Sequence, residues 1–126
     1  MRQPLRRLCT VAFLGAMVAV TAAPALAHPK LVKAQPAKGA VLKKAPSRIQ
    51  LWFHEELDTK QSSFTVVNQK NARVDNGDAR VNLDDRTRLD GSVKALGPGV
   101  YTVKWEAVAD DDKGATEGTF TFRVQE

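Results

Sequence analysis

An all-β fold follows from three observations on the chain beyond residue 27. Short apolar or β-branched runs alternate with polar residues, turn-forming residues punctuate them, and no stretch keeps the i, i+3, i+4, i+7 apolar spacing of a helix. Seven or so such runs within about 100 residues predict two antiparallel sheets packed as a β-sandwich, with immunoglobulin-like or Greek-key topology.

The predicted strands run, in order, over Lys30 to Ala34, Arg48 to His54, Ser63 to Asn68, Ala79 to Leu83, Arg88 to Val93, Val100 to Val108 and Thr116 to Val124. Pro36, Gly39, Pro46, Asn76-Gly77, Asp90-Gly91 and Gly97-Pro98-Gly99 supply the fixed or positive φ that turns need. Two strands read most clearly: Ile49, Leu51 and Phe53 point one way and Gln50, Trp52 and His54 the other, while Phe120, Phe122 and Val124 alternate with Thr119, Thr121 and Arg123. Phe53, Phe64, Tyr101, Phe120 and Phe122 are the expected aromatic core. Trp52 and Trp105 are expected nearer the surface, because an indole N–H seeks a partner. The charged stretches Asp75 to Arg80 and Asp84 to Arg88 read as loop and edge, and residues 28–126 as one domain without repeats.

Ahead of this domain, Arg2, Arg6 and Arg7 precede an apolar run from Leu8 to about Val20, and the segment closes on Ala25-Leu26-Ala27. A charged start, an apolar middle and a small-x-small end are the marks of a secretory signal, and the run is shorter than the ~20 residues a spanning helix needs. Residues 1–27 are therefore expected to be a cleaved signal, leaving His28 as the new amino terminus. Cys9 stands before the apolar core, where a lipidation site would follow it, and Arg6-Arg7 lacks further twin-arginine context, so Sec-type export is expected.

Cleavage removes three of the nineteen basic residues and no acidic ones, so sixteen face fourteen and the net charge falls from +5 to +2. Such a mixed surface lacks the concentrated basic face that nucleic acid requires, and Lys33, Lys38, Lys43 and Lys44 read as a solvated edge. The cut also removes Cys9, Met1 and Met17, the chain's only sulfur. Disulfides, thiol catalysis, zinc-thiolate sites and thioether sites for Cu(I) are thereby excluded from the processed protein.

One residue then stands out chemically. A free α-amine and the Nδ1 of its own imidazole close a six-membered chelate of borderline donors suited to Cu(II), and His28 would offer both. Pro29 has no amide N–H to deprotonate, so the next backbone nitrogen cannot join, and the remaining ligands must come from elsewhere in the fold.

Several segments carry a family likeness: His28-Pro29-Lys30-Leu31-Val32, Pro36-Ala37-Lys38-Gly39, Ala45 to Glu55, Gly99-Val100-Tyr101-Thr102-Val103-Lys104-Trp105 and Gly118 to Val124. In order and spacing they resemble the CopC family of periplasmic copper-resistance proteins, from end to end of the mature chain. The resemblance implies a small cupredoxin-like β-sandwich in the periplasm that holds Cu(II) through its N-terminal histidine, an acidic residue after the second strand, and an Asp-x-His pair before the last strand. Carried onto this chain, those positions are His28, Glu55 and Asp111, forming a mononuclear Cu(II) site. The histidine of the Asp-x-His pair falls on Lys113, and Ala109 to Gly118 contains no histidine. The family's methionine-rich Cu(I) segment is absent. His54, the only other imidazole of the chain, stands beside Glu55 as an alternative donor. Asp110-Asp111-Asp112 lacks the ordered spacing of a calcium loop and otherwise reads as a solvated turn.

The resemblance implies a monomeric periplasmic copper-binding protein serving resistance, sequestration or delivery, with a copper-transporting inner-membrane protein as partner. The alternative is an interaction module whose copper site has degenerated at Lys113. An enzyme is not expected. No Ser-His-Asp spacing or phosphate loop is visible, and an N-terminal-histidine copper oxygenase would want a second imidazole and a broad substrate surface.

Overall fold

The computed structural model describes residues 28–125, together with Gly15 and Ala16; apart from those two residues, the expected export signal, with Ala27 at its cleavage site, lies outside the described residues. Every regular element among them is a strand: β1 Leu31–Gln35, β2 Val41–Leu42, β3 Arg48–Phe53, β4 Ser63–Val67, β5 Arg80–Val81, β6 Arg88–Ser92, β7 Gly99–Val108 and β8 Ala115–Val124. They form two four-stranded sheets, ordered β1-β3-β6-β5 and β2-β8-β7-β4. The all-β sandwich is thus present with one strand more than the alternation indicates. β2 has only two residues and pairs in parallel with the end of β8, Val41 opposite Arg123. Two residues are too few to display a period.

Alternation decides which side chains meet between the sheets. Ile49, Leu51 and Phe53 of β3 and Leu89 of β6 face Phe64 and Val66 of β4, Tyr101 and Val103 of β7, and Phe120, Phe122 and Val124 of β8 in one buried cluster. All five expected core aromatics are buried. Tyr101 stacks on Phe122 with centroids 5.5 Å apart and donates its hydroxyl to the Gly97 carbonyl at 2.6 Å. Trp105 is half-buried and meets Phe53 edge-on at 5.2 Å. Trp52 lies on the outer face of its sheet with the Lys33 ammonium 4.7 Å and the Arg88 guanidinium 5.8 Å from its ring, so its exposed π-face is covered by cations. Lys33, Lys38, Lys43 and Lys44 are all exposed.

The turn signals hold at Gly39 and Gly77, whose φ values are 73° and 71°. Two readings need correction. Asp90-Gly91 lies within β6, where Gly91 is opposite Ile49. The strand expected over Ala79 to Leu83 contracts to β5, and Leu83 is exposed on the loop that follows.

The outer edge of β4 is covered by the Val67–Arg73 bridge, by the Val74 N–H donating to the Val66 carbonyl at 2.8 Å, and by a side chain. Asp75, 5 % exposed, accepts the Val66 N–H at 2.9 Å and the Gly77 N–H at 3.0 Å, and pairs with Arg73 at 2.6 Å. Burial alone would raise this carboxyl, but the Arg73 guanidinium and the two amides outweigh it and hold it below the usual carboxylate range.

Candidate metal site

The chain leaves β3 at Phe53 and is stitched to the far end of β7. Leu57 bridges Ala109, Asp110 N–H donates to the Glu56 carbonyl at 3.0 Å, and Asp58 N–H donates to the Val108 carbonyl at 2.7 Å. These bonds bring two segments some fifty residues apart in sequence into contact, at the end of the sandwich that also carries the start of β1. Between them lies a cleft of about 210 Å³ lined by Glu55, Glu56, Asp110 and Asp111.

One atom of a residue that lines this cleft is anomalous. Glu55 Oε1 is buried and has no hydrogen-bond partner among the described residues. A buried carboxylate oxygen without a donor is costly, and a bound cation is the simplest group to satisfy it. Asp111 is exposed, and its Oδ1 accepts the Asp112 N–H at 2.7 Å. Two of the three expected ligands, Glu55 and Asp111, therefore share a cleft.

His28, the third, is exposed and is not among the residues lining that cleft. It lies two residues before Lys30, whose backbone is hydrogen-bonded to His54, the neighbour of Glu55. Among the described residues no group of three or more His, Asp or Glu side chains is gathered as a metal cage would be.

Lys113, at the position where the resemblance implies an imidazole, has a different partner. Its backbone turns through φ 58° in the connection between β7 and β8, where Lys113 N–H donates to the Ala109 carbonyl and Ala109 N–H to the Gly114 carbonyl. The ammonium donates to Asp58 Oδ2 at 2.8 Å and stands 3.6 Å from Asp110 Oδ1. Asp58 also accepts the backbone N–H groups of Lys60 and Gln61 at 2.8 and 2.9 Å, an Asx-type turn that leads into β4. The hydrogen bond from Lys113, then that from Lys60, hold the Asp58 carboxyl at about 2, and the hydrogen bond to Asp58 in turn raises Lys113. The lysine thus stays an ammonium, a donor of protons with no lone pair for a metal, and it places a positive charge at the margin of the cleft.

Asp58 is the residue sequence reasoning missed. An aspartate ahead of Thr59-Lys60-Gln61 carries the local turn signal, but nothing local announces a partner 55 residues away. Because its folded value of about 2 lies below the ordinary 3.8, its contribution to stability is present above pH 4 and is lost as pH falls from about 4 toward 2. In Asp58→Asn that loss should vanish, so acid unfolding curves followed by circular dichroism should be flatter across this window than those of the parent. Identical curves would mean the ion pair does not persist in solution.

Residues 31–125 match the model of the CopC domain. Protein YobA of Escherichia coli K12 is 34% identical over 100 residues, covering 79% of this chain and 80% of the relative. Copper resistance protein C of Pseudomonas syringae pv. tomato is 34% identical over 107 residues, covering 80% and 83%. The crystal structure of CopC from Methylosinus trichosporium OB3b superposes with a TM-score of 0.68 at 24% identity, covering 78% of this chain and 94% of that one, and shares the β-sandwich fold. With its sandwich, its motif order and this match over most of its length, the chain belongs to the CopC family.

Proposed function

We propose that this protein is a periplasmic copper-binding protein that, once residues 1–27 are cleaved, holds a single Cu(II) ion through the amine and imidazole of His28 with carboxylates from Glu55 and Asp111. The observation that carries this reading is the buried, unpartnered Oε1 of Glu55, a residue that lines a cleft together with Asp111 at the same end of the fold as the start of β1. Membership of a family with a copper resistance relative supports copper as the cargo. A sulfur-free processed chain favours Cu(II) over Cu(I), since the remaining donors are nitrogen and oxygen. The protein acts as a monomeric carrier without turnover, and a copper-transporting membrane protein is the natural recipient.

A second reading has its own observation. Lys113 is committed to Asp58, and its charge weakens an acidic site meant for a divalent ion. On this reading the sandwich serves as an interaction module.

The two separate in one titration. The processed protein and a version with one extra residue before His28 are titrated with Cu(II) against a weak competing chelator. The extra residue should weaken binding by on the order of 100-fold, about 2.7 kcal/mol, because it moves the amine away from the imidazole. Equally poor binding by both proteins would end the copper reading and leave the interaction module.

A further inference from the structure

At the outer end of β1, one rung beyond the Leu31–Phe53 pair, Lys30 and His54 face each other. An antiparallel hydrogen-bonded pair normally exchanges two bonds between backbones. Here only one is of that kind: His54 N–H donates to the Lys30 carbonyl at 3.1 Å. The Lys30 N–H donates instead to the Nδ1 of the His54 side chain at 2.8 Å. The imidazole has taken the place of the carbonyl in the last rung.

This contact is the outermost hydrogen-bonded restraint the described chain has at that end. Pro29, next toward the terminus, is buried but has no N–H to donate. On the other side the ladder is irregular, since the register shifts between Leu31 and Lys33 and leaves Val32 exposed. A bulge loosens pairing where it occurs. The direction of the first residues after the expected cut therefore depends on the burial of Pro29 and on the rung that His54 completes.

The same bond fixes the state of the imidazole. A ring whose Nδ1 accepts an N–H carries its own hydrogen on Nε2, so neither nitrogen has a lone pair left for a metal. Glu55 follows His54 directly, and His28 lies two peptide units from Lys30, a reach of about 7 Å at most. We infer that His54 is a positioning residue, whose imidazole grips the Lys30 N–H and so aims the terminal segment bearing His28 toward the Glu55–Asp111 cleft. The grip itself stands on the hydrogen bonds, and its purpose rests on the copper reading above.

Two variants of the processed protein test this. In His54→Asn the side-chain oxygen can stand where Nδ1 stands and accept the Lys30 N–H; in His54→Leu nothing can. Amide exchange measured by NMR on the metal-free proteins should show Lys30 protected in the parent and in His54→Asn, and exchanging about tenfold faster in His54→Leu, with Ala34 and Gln35 unchanged. Cu(II) should then give one EPR spectrum for the parent and His54→Asn, and an altered spectrum with about tenfold weaker binding for His54→Leu. Unchanged Lys30 exchange in His54→Leu would overturn the inference. So would a loss of Cu(II) in His54→Asn as large as in His54→Leu, because His54 would then be a ligand itself. If none of the three binds Cu(II), the copper reading fails, and the exchange of Lys30 alone decides the grip.

Discussion

On the proposed copper reading, replacing Lys113 by histidine is expected to tighten Cu(II) binding by on the order of 100-fold, about 2.7 kcal/mol. Two changes act in the same direction. The substitution removes an ammonium that stands 3.6 Å from Asp110 Oδ1 at the edge of the acidic cleft, and with it the repulsion of a divalent ion. It also brings a borderline nitrogen donor to the position where the family resemblance implies one. The backbone can accept the exchange, because histidine is among the residues enriched at positive φ and Lys113 sits at 58°. Asp58 would lose its charged partner but keep the Lys60 and Gln61 amides, so the turn after Leu57 should persist. Lys113→Met separates the two causes, since it removes the charge without adding a donor, and should recover only about a tenfold gain. Competition titrations of the three proteins, with EPR to count coordinated nitrogens, measure both effects. A histidine variant no tighter than the methionine variant would mean that the β7–β8 connection does not bring residue 113 within reach of the metal.

What could be read from the chain alone follows the range of the interactions involved. Alternation is local and strong in β3 and β8, so the sandwich, the five buried aromatics and most strands were legible from residue order. β2 was not, because its two residues are held by the end of β8 and by nothing in their own pattern. The site divides in the same way. His28 is marked by its place after the expected cut, while Glu55 and Asp111 were reached through the family likeness, and the structure brings that pair to one cleft. The Lys113–Asp58 pair and the grip of His54 on Lys30 span 55 and 24 residues, and no spacing rule foretells either. Both involve residues that looked like candidates or defects in a metal site, and the structure gives both a hydrogen-bonding role.

Gly91 illustrates how a residue can be noticed for the wrong reason, and it yields the largest expected loss of stability. Beside Asp90 it resembles a turn, yet it lies in β6 opposite Ile49, and its φ is not among the positive ones. The constraint is space. A Cβ there would stand 2.6 Å from Phe64 Cζ, 3.0 Å from Ala79 Cβ and 3.1 Å from Ala79 Cα. Phe64 could swing only by leaving the buried cluster, and the Ala79 backbone belongs to the segment that leads into β5. Gly91→Val should therefore cost about 3 kcal/mol, the upper part of the usual range for overpacking, and lower the melting temperature by roughly 12–24 °C. Gly97→Ala is the control, because no atom lies within 4 Å of its Cβ position and its φ is not among the positive ones. Urea unfolding should place Gly97→Ala within about 0.5 kcal/mol of the parent, as for a surface change away from special features. If Gly91→Val unfolds within 1 kcal/mol of the parent, Phe64 and Ala79 cannot be packed against β6 as described, and the closure of the core between β4 and β6 would need to be redrawn.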